Sequence, residues 1–402
     1  MAEAPKPPPG VPGYPGERTT YDRDTRREVT EPQLPDTTQG ALVSVAPEPD
    51  VPTPGRAVPA RAPRTLLRFI GKKVAITAGL LLGVTILTFL LVQAVPGDPT
   101  ATNLSETAQK DPSVVAAYRA KWGLDKSLPV QYFTYLNNLL HGDLGTSQST
   151  GDTVAHDLGK YVPATMELAI PAMILALLIS VGLGLWAAVR KDKPADHAIR
   201  GVALVGLSTP SFWLAIVVLY VFFYKLGWAP NGGRLSARYT PPEHVTGMYT
   251  VDALLQGRPI AFQDALWHLM LPVLVLTALT VSVLIRFVRS AMLEVLDQDY
   301  IKAAYAKGLS RRTVLRRHVL RAGLVQVVTV AGLAFASLLS GTVLIEQIYS
   351  WPGLGQYAYR SALNLDLPAI MGVGLFVALV YTLVNLIIDI LYGVIDPRIR
   401  LS

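Results

Sequence analysis

Three carboxylates stand in otherwise apolar stretches of this chain: Glu167, Glu346 and Asp389. A charge at the centre of a membrane span costs about 2.5–3.5 kcal/mol on insertion scales, so such groups are candidates for ion pairing, gating or proton transfer. Glu167 and Glu346 lie near the ends of their apolar runs, where water or lipid head groups could solvate them. Asp389 lies deeper, about two turns before Asp396, and is expected to pair with Arg286 or Arg289 rather than to gate. A proton relay is disfavoured, because no histidine occupies the centre of an apolar run. His141, His156, His197, His244, His268 and His318 are scattered without ligand spacing, so no metal is assigned. The absence of cysteine removes thiolate metal sites, disulfide frameworks and cysteine catalysis. There is no GxxxxGK[ST] loop for nucleotide phosphates and no arguable Ser/His/Asp arrangement, so the chain is not expected to be an enzyme or to bind a cofactor itself.

The elements that must position these groups follow from composition. Hydrophobic residues make up 51% of the 402 residues and charged residues 16%, well below the roughly 25% charge of an average soluble domain. The apolar residues concentrate in six runs of the roughly 20 residues a helix needs to cross a bilayer: about 70–95, 164–189, 199–226, 268–293, 324–346 and 369–395. Their continuity excludes the period-two alternation of a membrane β-barrel. Pro272 could break the fourth; no other broken span, internal repeat or set of mid-span charges is evident. Residues 1–65 differ, holding 14 of the 30 prolines with 8 basic and 9 acidic residues. Such a segment cannot bury enough apolar surface to order itself, so it reads as a disordered, solvated cytoplasmic tail. Residues 66–402 then form the membrane domain, with a core bundle at about 160–395.

Loop charge sets the orientation. Residues 286–321 carry 9 basic and 3 acidic residues, whereas 96–163 carry 5 and 7. The positive-inside rule places both termini in the cytoplasm of a multi-pass cell-membrane protein. The net charge of +7 therefore reports topology rather than a nucleic-acid partner. Small-xxx-small pairs, Gly79 with Gly83 and Ser337 with Gly341, allow close helix contacts, expected within one bundle.

The loop between the fourth and fifth spans holds the most informative spacing. Asp299 is a reasonable N-cap, Gly308 a stop, and Ser310 a cap for a second helix over Arg311–Leu320. Ala303 and Ala304 leave the short helix flat enough for another protein to pack against it. The same basic surface would also suit lipid head groups.

This loop, with Lys302-Ala303-Ala304, Gly308 and His318-Val319-Leu320, resembles the cytoplasmic "EAA" loop of ABC importer permeases, although Lys302 replaces a Glu, His318 an Ile and Arg321 a Pro. Further segments resemble the dipeptide/oligopeptide and nickel subfamily, of the first-permease type. They are Val95–Pro99, Trp122–Asp125, Pro129–Tyr132, Leu140–Gly145, Leu207–Trp213 at the start of the third span, Glu346–Gly355 and Asp396–Arg398. The resemblance covers about residues 66–402. It implies the all-α, six-helix type I importer permease fold and an importer of di- or oligopeptides, with a nickel importer as the alternative. It implies a second homologous permease, two ABC ATPase subunits that use ATP and Mg, and an extracytoplasmic solute-binding protein as partners. Asp299, Tyr300, Ala303, Ala304 and Gly308 would form the ATPase-coupling helix. Glu346, Trp351, Pro352 and Gly353 would lie at the outer gate beneath the docked binding protein, where Trp351-Pro352-Gly353 also reads as a turn with an interfacial aromatic. A self-contained secondary transporter or channel is the competing class, and a scaffold working through the proline-rich arm a third.

Overall fold

The computed structural model describes residues 63–94, 100, 104 and 106–395. These fall in one structural unit, Arg61–Ser402. Residues 1–62 of the tail, the Val95–Pro99 motif and Asp396–Arg398 lie outside the described residues.

Among the described residues the chain is helical, with one isolated bridge between Thr146 and Thr153. Helix α1 (Pro63–Ala94) is followed by three shorter helices, α2 (Glu106–Gln109), α3 (Pro112–Trp122) and α4 (Leu128–Leu140). The long α5 (Val154–Val189) starts where the Thr153 side chain accepts a hydrogen bond from His156 N. Then come α6 (Pro194–Ser208), α7 (Ser211–Leu219, continued by a π-helical turn Tyr220–Lys225), α8 (Tyr249–Leu255) and α9 (Pro259–Leu296). Short α10 (Asp299–Ala306) precedes α11 (Arg311–Val314), which runs through a π-helical turn (Leu315–Val319) into α12 (Leu320–Gly341). The chain closes with α13 (Val343–Ile348), α14 (Leu354–Leu363) and α15 (Leu367–Ile395).

Five helical stretches are long and apolar enough to cross a membrane, and a sixth crossing requires α6 and α7 to count together. These two meet at 99°, so the third span is broken rather than continuous. The cause is Pro210, whose ring pushes the preceding residue out of the α region. Thr209 is extended, with ψ 123°. The Leu207–Trp213 motif is therefore the elbow of the span and not its start, and the break falls there instead of at Pro272, which α9 accommodates in its interior. The fifth span also starts earlier than hydropathy suggests: Arg311–Leu339 is one candidate crossing, bringing His318 and Arg321 into its first turns.

Helix α9 is the axis of the bundle, with 67% of its most apolar window buried against 11% for α1 and for α15. Lipid tails are as apolar as leucine, so burial alone gives little drive between spans, and close van der Waals contact carries association. The glycines that provide it are not the predicted ones. A Cβ at Gly184 of α5 would come within 2.7 Å of Val288 on α9, and one at Gly323 of α12 within 2.7 Å of Met292. Gly79 and Gly83 are exposed, and a Cβ on either would meet nothing within 4 Å, so they mediate no packing inside the described bundle.

Candidate functional site

The residues singled out in the sequence gather at opposite ends of the bundle. One end carries the segments 106–153, 228–258 and 342–366 and is loop-rich. The other carries 190–197 and 297–319 and is basic.

At the loop-rich end, α13 and the turn after it fold back onto α5. Glu346 is fully buried, correcting the expectation of a solvated carboxylate. It accepts hydrogen bonds from Thr165 Oγ1 of α5 (2.6 Å), Thr342 Oγ1 (2.9 Å) and the backbone N of Gln356 (2.8 Å). Thr165 Oγ1 accepts in turn from Leu354 N (2.7 Å). Trp351 is not an interfacial anchor: it is 1% exposed, and its indole N–H donates to Ala164 O at 2.8 Å. A Cβ at Gly353 would collide with the Glu346 carboxylate, and one at Gly355 would come within 2.8 Å of Val343 Cα. The Trp351–Gly355 motif thus needs its glycines because the chain wraps a buried acid at backbone distance. Pro352 lies beside them, half-buried.

Glu167 is also buried rather than solvated. Arg234, from the segment between α7 and α8, holds Glu167 Oε2 through Nη2 (2.6 Å) and Nε (3.1 Å), while Thr250 N and Oγ1 donate to Oε1 (2.7 and 2.8 Å). The guanidinium lies 3.7 Å from the centroid of the Tyr249 ring and also donates to Gly247 O. A buried acid needs a cation or enough hydrogen-bond donors, and nothing in the spacing indicates that a cation 67 residues away serves Glu167. Asp252 organises the same loop, accepting from Thr246 N and Oγ1 (both 2.7 Å) and Gly247 N (2.9 Å). Burial alone would raise its carboxyl, yet these donors hold it below the ordinary range. Further along, Asp157 of α5 takes hydrogen bonds from Thr150 and Tyr357, and Asp366 takes one from Ser147, tying the 146–153 hairpin and α14 to α5 and the hairpin to the turn before α15.

At the basic end, the helix expected over 299–308 is α10, which spans Asp299–Ala306, and Gly308 follows with φ +79°. The N-cap is Gln298; Asp299 is the first helical residue, and its carboxylate is held by Lys302 Nζ at 2.8 Å, which keeps it below the ordinary carboxylate range. Ser310 caps the next helix, accepting from Thr313 N. The two alanines, about 100° apart around the helix, differ in exposure. Ala304 is buried with Ile301 against Val288, Met292, Val314 and Val319, so it seats α10 on the bundle and is not part of an open surface. Ala303 is exposed, flanked by exposed Tyr300 and Lys302.

The side chain of Asp389 lies outside the described residues. Its suggested partner Arg289 is engaged by Asp196 of α6, with Nε–Oδ1 at 2.5 Å and Nη2–Oδ2 at 2.6 Å. This pair ties the start of the broken span to the end of α9. The bend between α6 and α7 opens a cavity of about 1260 Å³ against α5 and α9, lined largely by apolar side chains such as Leu175, Val202, Trp213, Trp267 and Met270. Among the described residues no group of three or more His, Asp or Glu is placed to hold a metal.

Residues 180–401 match the family described as binding-protein-dependent transport system inner membrane component, and residues 66–169 match the N-terminal part described for the same systems. A probable D,D-dipeptide transport system permease of Escherichia coli K12 is 44% identical over 317 residues, 79% of this chain and 93% of that protein. A di/tripeptide transport system permease of Pseudomonas aeruginosa is 41% identical over 83% of this chain and 99% of that protein. A dipeptide transport system permease of Escherichia coli K12 is 38% identical over the same shares.

Proposed function

The chain belongs to the binding-protein-dependent transport system inner membrane components, and on that premise we propose that it is the permease subunit of an ATP-driven importer of di- or oligopeptides. The observation that carries the reading is likeness over nearly the full length of permeases whose names specify dipeptide or tripeptide transport. The basic end faces the cytoplasm, with both termini, and α10 is the helix that two-subunit ATPase closure moves. Tyr300, Ala303 and Lys302 present its open face, while Ile301 and Ala304 transmit the displacement to α9 and α12. The loop-rich end receives an extracytoplasmic binding protein, with the Glu346–Gly355 turn as a rigid part of the outer gate. A second permease completes the path, and the ATPase sites, with ATP and Mg, belong to partner chains.

A secondary transporter is less well supported, even though the third span is broken. The carboxylates at the span ends, Glu167, Asp196 and Asp264, are each committed to a cation or hydrogen-bond donors of this chain. The test is uptake by the reconstituted complex with its binding protein. Labelled di- and tripeptides should enter only with ATP. Uptake that needs no ATP would refute the importer reading, and uptake of nickel in place of peptide would refute the substrate.

A further inference from the structure

Beside α10, at the start of the fifth span, lies a pocket of about 850 Å³ that the transport reading leaves unused. Its walls are Tyr300 of α10 and one face of the helix from Arg317 to Val328. Positions 317, 318, 321, 324, 325 and 328 follow helical spacing, so they stack along one stripe. The stripe is divided by chemistry: Arg317, His318 and Arg321 occupy its first turns, and Leu324, Val325 and Val328 the next two. A π-helical turn at Leu315–Val319 sets the rotation of the basic part, and such turns recur at functional positions.

Among the described residues no hydrogen bond or ion pair engages the side chains of Arg317, His318 or Arg321. Two carboxylates of the same end have other partners, Asp299 with Lys302 at 2.8 Å and Glu294 with Gln326 at 3.1 Å. The two arginines are exposed, while the apolar residues below them are half-buried. Unpaired cations at the start of a candidate span, with an apolar wall farther along it, are complementary to an amphiphile with an anionic head and an acyl chain.

We infer that this pocket binds an anionic glycerophospholipid of the cytoplasmic leaflet, its phosphate among Arg317, His318 and Arg321 and its acyl chain along Leu324, Val325 and Val328. The choice of leaflet rests on the proposed orientation. Because Tyr300 forms one wall, the lipid contacts the coupling helix and the span it moves at once. Basic pockets between spans on the cytoplasmic side are known sites for such head groups. Free phosphate would satisfy the cations but would leave the apolar wall unused.

The test is native mass spectrometry of the complete complex released from nanodiscs of equal phosphatidylcholine and phosphatidylglycerol. Wild type should retain phosphatidylglycerol selectively, and added inorganic phosphate should not displace it. The pair Arg317→Gln and Arg321→Gln should lower retention about tenfold or more, while Arg317→Lys with Arg321→Lys keeps most of it. Leu324→Trp with Val328→Trp, which fills the groove and leaves the cations, should lower retention as well. Equal retention by the glutamine variant, displacement by phosphate, or no preference over phosphatidylcholine would overturn the site. Retention is read without ATP turnover, so it is decided separately from the coupling role of α10.

Discussion

At the loop-rich end, Glu346, Glu167 and Trp351 have their polar atoms met by groups from other segments: Thr165 and Gln356, Arg234 and Thr250, and Ala164 respectively. At the basic end, Tyr300, Ala303 and Tyr305 stand in the open, and α10 is held to the bundle mainly by the apolar contacts of Ile301 and Ala304. The first arrangement resists local movement, because each buried polar group that lost its partner would carry its desolvation cost. The second can be displaced by a force on its open face, since dispersion contacts are individually weak and re-form after sliding. Under the proposed importer function, the first would serve as a fixed rim and the second as a lever.

The contrast can be broken first at its strongest point. Arg234→Ala leaves Glu167 buried without its cation, and removing one partner of such a pair costs about 3–5 kcal/mol. The thermal midpoint of the purified protein should fall steeply, and an unchanged midpoint would show that the rim is not locked by this pair. Ala304→Leu comes next. It overfills the seat of α10, and insertion of methylenes into a packed core costs about 1–3 kcal/mol; denaturant unfolding in detergent should read the loss. Trp351→Phe removes the indole N–H that donates to Ala164 and leaves part of the bicycle's volume empty at a buried position, so about 1–3 kcal/mol is expected, read by the same unfolding. Asp299→Asn should be smallest. Its exposed contact with Lys302 is of the kind that contributes little, so the thermal midpoint should not move.

Much of the fold was legible because hydropathy counts apolar residues well. All six apolar runs correspond to helices, and Asp299 and Ser310 located the starts of α10 and of the helix after it to within a residue. Direction was not legible. Hydropathy treats residues 199–226 as one run, whereas Pro210 turns the chain by 99° in its middle. Long-range pairing was equally hidden: the Glu167–Arg234 and Asp196–Arg289 contacts join residues 67 and 93 positions apart. Small residues misled in both directions. Gly79 and Gly83 have the spacing of a helix contact but face outward, while Gly184 and Gly323, which do pack closely, stand opposite Val288 and Met292. Two adjacent alanines carry no amphipathic signal, so only the structure separates Ala304 as seat from Ala303 as open face.

The chain has no cysteine, so a single introduced thiol reports its own surroundings without background. Ala303→Cys in the complete complex, treated with a short bifunctional crosslinker, tests the coupling role of α10 most directly. The expected product joins this chain to an ATPase subunit in a yield that changes with bound ATP, while Leu254→Cys, exposed on α8 at the opposite end, gives none. Absence of that product from Ala303→Cys, in a complex that still imports peptide, would contradict the account.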